Sequence, residues 1–204
     1  MCTETFRRLP EEKRTRFLDA AWEEFTQVPF TDASINKIVL RARIPRGSFY
    51  QYFTDKKELF SYLLKGMMDF FLKEYAAMLR QAEGDFFETQ IRCFDRVLLE
   101  KNTHPLFIRG MSVLKLNLAV LTQAVEESHL PYRIWDTVKE YVDLSGIRNQ
   151  DEDLGRQAFV MSLFVLVISM KDAMSNPEKI GECRRELLVR LDVLKHGCFA
   201  AQQA

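Results

Sequence analysis

The chain has 204 residues, 47% of them apolar and 28% charged, with a formal net charge of zero. That composition excludes a disordered or strongly single-signed chain and leaves room for one or two domains around a buried core. Eight glycines, six prolines and no strand-like alternation point to helices, so the expected class is all-α.

A first helix is expected from Pro10, with Glu11 and Glu12 facing its positive end. Phe17, Leu18, Ala21 and Phe25 recur at helical spacing, and Val28-Pro29 ends it. A short second helix follows, with Asp32 as a candidate cap and Ile35, Ile38, Val39 and Ala42 as its buried stripe. It stops by Ile44, because the residue before Pro45 is pushed from helical angles. A third short helix starts at Pro45 and carries Phe49, Tyr50, Tyr52 and Phe53. Thr54 or Asp55 then caps a long helix to about Gln81, roughly 40 Å of rod, which ends at Glu83-Gly84-Asp85. Further helices are expected over 86–101, 104–127 (with a possible break near Gly110), 131–144, 153–175 and 178–197. The apolar run Ala158–Met170 falls short of the ~20 residues a bilayer requires.

Charge is uneven along this plan. Residues 1–65 hold 12 Lys/Arg against 9 Asp/Glu, and the remainder is acidic by the same margin. Between Asp32 and Lys57 the basic residues Lys37, Arg41, Arg43, Arg46, Lys56 and Lys57 face only Asp32 and Asp55. A basic patch on a neutral chain suits a phosphate-binding surface, although a solvated face reads the same way. Two helices of one to two turns joined by about four residues form a helix-turn-helix, whose second helix enters a DNA major groove. Arg46 could fork onto a guanine or a phosphate, and Gly47 would let backbone approach a phosphate closely. Ser48, Tyr50, Gln51 and Tyr52 offer hydrogen-bonding groups, while the alternative for either tyrosine is plain packing.

The segment resembles the DNA-binding domain of TetR-family regulators. The resemblance rests on Ser34, Ile38, Val39, Ala42 and Ile44, the run Arg46-Gly47-Ser48-Phe49-Tyr50-Gln51-Tyr52-Phe53, then Lys56 and Leu59, with Phe17, Ala20, Ala21 and Phe25 ahead of them. It covers about 50 of the 204 residues. The resemblance implies a three-helix DNA-binding domain over 1–53 and a helical ligand-sensing and dimerisation domain over 54–204, with 54–81 as the connecting helix. It implies phosphate contacts from Ser34, Tyr50 and Lys56, and base-facing positions at Asn36, Arg46, Ser48 and Gln51. With Lys37, Gly47 and Tyr52 these make up the candidate DNA-binding set. Three positions depart from the family pattern: Arg43 stands where the turn glycine is common, Pro45 replaces a Ser/Thr cap, and Ile35 sits where a small polar or β-branched residue is usual. Arg43 must adopt a left-handed conformation or alter the turn.

For the sensor, the candidate effector residues are Cys93, Phe94, Phe107, Met111, Leu114, Asn117, Trp135 and Tyr141, which mix apolar surface with a few polar handles. Lys115 and Asn117 interrupt an apolar run and are either such handles or solvent-facing. The candidate homodimer interface is Phe159, Leu163, Leu166, Leu187, Leu191 and Leu194, with packing inside the protomer as the alternative. The expected partners are a double-stranded DNA operator, a small-molecule effector and a second copy, with no membrane. Cys2, Cys93, Cys183 and Cys198 lack paired spacing and no leader pattern opens the chain, so a cytoplasmic setting is expected. The expected regulator is a repressor released from a palindromic site by its effector. The competing readings are an enzyme and an interaction module that has lost operator binding. The sequence lacks nucleophile-elbow, phosphate-loop and dinucleotide motifs, and His104, His129 and His196 have no metal-ligand spacing, so neither enzyme nor metal or other cofactor is expected.

Overall fold

A computed structural model describes residues 3–99, 104–117 and 130–198. Its α-helices are α1 (Glu4–Arg7), α2 (Glu11–Gln27), α3 (Ile35–Ala42), α4 (Arg46–Tyr52), α5 (Lys56–Gln81), α6 (Phe86–Leu98), α7 (Pro105–Leu116), α8 (Leu130–Val138), α9 (Glu152–Ser175) and α10 (Ile180–Cys198). Among the described residues there is no strand. The expected extensions of helices over 100–101 and 118–127 lie outside the described residues. The described chain forms two compact units: one takes the residues through Phe71 together with α7, the other takes the rest, and α5 contributes to both.

The first unit is built on aromatic rings. Phe17 of α2 and Phe49 and Phe53 of the α4 region are fully buried, with Phe17 stacked on Phe53 at 5.9 Å. Helix α1 was not legible in the sequence. Thr3 caps it, accepting from the Phe6 amide, and Phe6 is driven among Phe17, Tyr52, Phe53 and Tyr62 at 4.9–5.7 Å. The Thr3 amide donates to the Tyr52 carbonyl (3.1 Å) and the Thr3 hydroxyl to that of Gln51 (2.6 Å). The N-terminal segment thereby satisfies carbonyls that a helix end leaves without partners.

Helix α5 opens with a reciprocal cap. Asp55 accepts the Glu58 amide at 2.7 Å while the Glu58 carboxylate accepts the Thr54 amide at 2.7 Å, so Asp55 rather than Thr54 is the capping side chain. It ends where Glu83 and Gly84 both take positive φ. Helix α7 is unbroken at Gly110, contrary to the expectation. The glycine serves close approach instead: a Cβ there would stand 2.9 Å from the Met67 sulfur and from the Phe71 ring. Helix α7 is also tied to α2 and its following loop. Arg109 pairs with Asp19 at 2.8 Å, and Asn117 accepts the Phe30 amide at 3.0 Å.

The second unit centres on α9, which packs against α6, α8 and α10. The apolar run read from the sequence is shorter than the helix carrying it: α9 has 24 residues and by length and composition alone could cross a membrane. Its ring and aliphatic side chains instead build a protein core, with Phe159 against Trp135 at 5.3 Å and Phe86 at 5.7 Å. Arg184 of α10 grips Asp95 of α6 through two 2.7 Å hydrogen bonds. The helix expected over 131–144 is shorter, giving way at Lys139 to a 3-10 turn.

Because Phe6 closes the aromatic core from outside, Phe6→Ala is expected to destabilise the first unit by about 3–5 kcal/mol, as other buried phenylalanine truncations do. Thermal and urea melts of the full chain check this. An unchanged melt would mean that α1 lies on the core without supporting it.

Candidate nucleic-acid interface

Helix α4 has two unlike faces. Phe49 and Tyr52 point inward, as does Phe53 just beyond, at the i, i+3, i+4 spacing of one helical side. Arg46, Gly47, Tyr50 and Gln51 are exposed and Ser48 is half-buried. The tyrosine ambiguity resolves by periodicity: Tyr50 is 49% exposed, whereas Tyr52 is 3% exposed and packs edge-on to Phe17 at 5.7 Å. Tyr52 therefore leaves the candidate DNA-binding set as a core residue. Pro45 is the N-cap of α4 and supplies no side-chain bond, in keeping with its replacing a Ser/Thr cap.

A buried carboxylate sets the position of α3. Glu24 of α2 is 1% exposed, an environment hostile to an unpaired charge. Its two oxygens accept the Ser34 amide at 3.0 Å and the Arg41 guanidinium at 2.6 Å, so one side chain holds both ends of α3. Lys37 lies 3.9 Å from the same carboxylate with its side chain still 60% exposed. The N-cap of α3 is Ser34, not Asp32. Ser34 makes no side-chain capping bond, and Asn36 next to Ile35 is exposed.

The turn into α4 keeps its shape despite the missing glycine. Arg43 adopts φ 53°, ψ 49°, the left-handed conformation, and the Ile44 amide returns to the Val39 carbonyl at 3.0 Å. Arg16 of α2 donates from Nε to the Ala42 carbonyl at 3.0 Å and braces the same turn. Lys56 has structural duties as well as charge. Its ammonium donates to the Thr31 and Ala33 carbonyls at 3.0 and 2.8 Å and lies over the Phe30 ring. One donor position remains for a phosphate.

The candidate effector residues divide between the units. Phe107, Met111, Leu114 and Asn117 belong to the first; Cys93, Phe94, Trp135 and Tyr141 belong to the second. Asn117 is neither solvent-facing nor a free handle: it is buried and holds Phe30 and its own helix end. Phe107 packs on Phe71 at 5.9 Å, and Met111 and Leu114 are half-buried. Phe94 and Trp135 are core residues, while Tyr141 is exposed under Arg80. Desolvation pushes the Cys93 thiol up to about 12, so it stays protonated at neutral pH.

Within the second unit lies a buried polar group that periodicity did not reveal. Gln90 donates from its amide to the Tyr75 and Ser162 hydroxyls, each at 3.0 Å, and Ser162 donates to the Phe159 carbonyl at 2.7 Å. The Gln90 amide oxygen is fully enclosed and has no partner among the described residues. Burial also raises the Tyr75 phenol well above its ordinary range. A glutamine on the core side of α6 was the available signal, since an unpaired buried amide is costly and uncommon.

The candidate dimer residues are used inside the protomer. Phe159, Leu163, Leu166, Leu187 and Leu191 are buried in the second unit's core, with Leu194 packed against it. On α9 and α10 the large apolar side chains left in solvent are Met161, Ile168, Val189 and Val193, each 50–67% exposed. An α9 that is apolar nearly all round gives no periodic cue as to which side packs inward.

Comparison with known proteins agrees with this geometry. Residues 17–63 match the family described as bacterial regulatory proteins, tetR family. The chain is 25% identical over 168 residues to an uncharacterized HTH-type transcriptional regulator, YhgD, of Bacillus subtilis, covering 77% of this chain and 83% of that one. It is 32% identical over 77 residues to the HTH-type transcriptional regulator HbdR of an Aromatoleum strain, covering 38% of this chain but only 32% of the relative. In fold it is similar to SmeT, the repressor of the Stenotrophomonas maltophilia multidrug efflux pump SmeDEF, with a TM-score of 0.59 at 17% identity over 97% of this chain and 94% of SmeT. The matched segment spans α2 from Phe17, α3, α4 and the start of α5, so over residues 17–63 the chain carries a helix-turn-helix domain of the kind found in the tetR family of bacterial regulatory proteins.

Proposed function

We propose that the protein is an effector-responsive regulator that binds a palindromic operator as a homodimer in the cytoplasm and lets go when a small molecule occupies the second unit. The observation that carries the DNA contact is the division of α4, which commits Phe49, Tyr52 and Phe53 to the core and leaves Arg46, Tyr50 and Gln51 outward. Arg46 and Gln51 read base edges, Tyr50, Ser34 and the third donor of Lys56 meet phosphates, and Asn36, Lys37, Gly47 and Ser48 line the approach. The 1–53 segment supplies this reading head, and 54–204 supplies sensing and pairing. Arg43 and Pro45 favour the alternative of an interaction module that has lost operator binding, yet the turn still closes from the Ile44 amide to the Val39 carbonyl and α4 still begins at Arg46.

Pairing is supported by the exposed apolar side chains of α9 and α10, Met161, Ile168, Val189 and Val193, which a second copy would cover about a two-fold axis. Effector binding is supported by the enclosed Gln90 oxygen and the Tyr75 hydroxyl, set among Phe86, Trp135 and Phe159. This environment favours an uncharged, largely aromatic molecule with one group that donates to Gln90. Such a ligand acts by favouring an arrangement in which two α4 helices no longer match major grooves ~34–36 Å apart.

Selection of bound duplexes from a random pool is expected to recover an inverted repeat. Arg46→Ala and Tyr50→Ala should each weaken binding at least about tenfold, while Tyr52→Phe should bind like the parent. Recovery of no motif by the folded protein would overturn the DNA-reading proposal. Sedimentation of a Val189→Asp, Val193→Asp double variant should show monomers where the parent gives dimers; an intact dimer would move the interface elsewhere. Uncharged aromatic compounds that release labelled operator from the parent should fail to release it from Gln90→Leu, with operator affinity unchanged. Equal release from both would remove Gln90 from the effector site.

A further inference from the structure

Among the described residues of the first unit, arginine side chains are almost all engaged. Arg8 pairs with Glu4, Arg14 donates to the Arg7 carbonyl, and Arg16 reaches Glu12 and the Ala42 carbonyl. Arg41 takes Glu23, Glu24 and Gln27, and Arg109 takes Asp19. Arg43 and Arg46 stand apart: both are exposed, and neither guanidinium has a hydrogen bond, ion pair or ring contact.

Arg43 is also the one residue of the turn in the left-handed region, φ 53°, ψ 49°. Glycine adopts that conformation freely, whereas a side chain with a Cβ does so at a cost. Among the described residues Arg43 has no side-chain hydrogen bond, ion pair or ring contact that would offset it. Such strain persists where a side chain has another use. The backbone around it is held firmly, by Arg16 on the Ala42 carbonyl and by burial of Ile44, so the residue is presented from a fixed point. That point lies three residues before Arg46, at the entry to the helix whose outer face carries the proposed DNA contacts.

We propose that Arg43 is an additional DNA contact, a guanidinium that clamps a backbone phosphate beside the groove entered by α4. This rests on the DNA-binding reading above. A phosphate, rather than a base, is the partner because Arg43 lies in the turn outside α4 and its chain is long, unpaired and free to reach outward. Arginine suits the task, being permanently charged and able to present a two-pronged donor. Arg43 therefore raises affinity for every operator without changing which one is preferred.

The test is Arg43→Gly in the full chain, measured for melting temperature, for affinity to the selected duplex across a salt series, and for the motif recovered from a random pool. The melting temperature should equal or exceed the parent's, since glycine relieves the left-handed strain. Affinity at low salt should fall on the order of tenfold, and the salt slope should shrink by about one for each protomer bound, with the same motif recovered. Arg43→Lys should retain most of the affinity. A Gly variant that binds with the parent's affinity and salt slope, while Arg46→Ala binds poorly, overturns this inference alone. A Gly variant that melts lower than the parent assigns Arg43 a structural role and overturns it too. A parent that selects no duplex overturns the DNA-binding reading and this inference with it.

Discussion

A seven-residue helix in water does not hold itself together, because nucleation fixes several residues before hydrogen bonds accumulate. Everything the first unit presents depends on overcoming that limit for α4. The means is aromatic burial: Phe49 and Phe53 sink against Phe17, and Phe6 closes the cluster from the far side. Each large ring contributes on the order of 2–3 kcal/mol of burial, far more than a short helix gains from its own turns. With one side of α4 committed to that core, periodicity alone decides which residues remain outside. The exposure of Arg46, Tyr50 and Gln51 is thus a consequence of where the phenylalanines sit.

Electrostatics refines what burial begins. Placing Glu24 in the interior would be prohibitive if the carboxylate were unpaired. Its two partners come from opposite ends of α3, so satisfying the charge also fixes the helix that α4 leans on. The same economy appears at Lys56, which closes the loop before α3 through two carbonyls and keeps one donor over. The basic patch is therefore less free than a count of charges suggests. Lys37, Arg41 and Lys56 are partly or wholly engaged inside the fold, and the unengaged guanidinium groups sit at the turn and the start of α4.

The second unit follows a different logic. An apolar α9 takes α6, α8 and α10 as neighbours and still leaves a few large side chains in solvent. Inside that oily core, a glutamine amide oxygen stands unpaired. A fold that keeps such a group forgoes stability that an apolar residue of the same size would provide, which is why the proposed sensing function is sought there.

The sequence by itself determined the helical class, the limits of α2 through α5 to within a residue or two, and the helix-turn-helix in their midst. These follow from local physics: proline excludes helix before it, Asp55 caps the start of α5, and apolar residues repeat at the helical period. For Arg43 the resemblance left two outcomes, a left-handed residue or an altered turn, and the structure shows the first. Only the tertiary structure decided that Phe6 and its short helix belong to the core, that Asn117 is a strut, and that Leu163, Leu166, Leu187 and Leu191 are buried within the protomer. In each case the periodicity defines a face or leaves several open, and the identity of the surface that covers it depends on residues far along the chain. A four-residue helix has no period to read, and a helix apolar nearly all round has no single face.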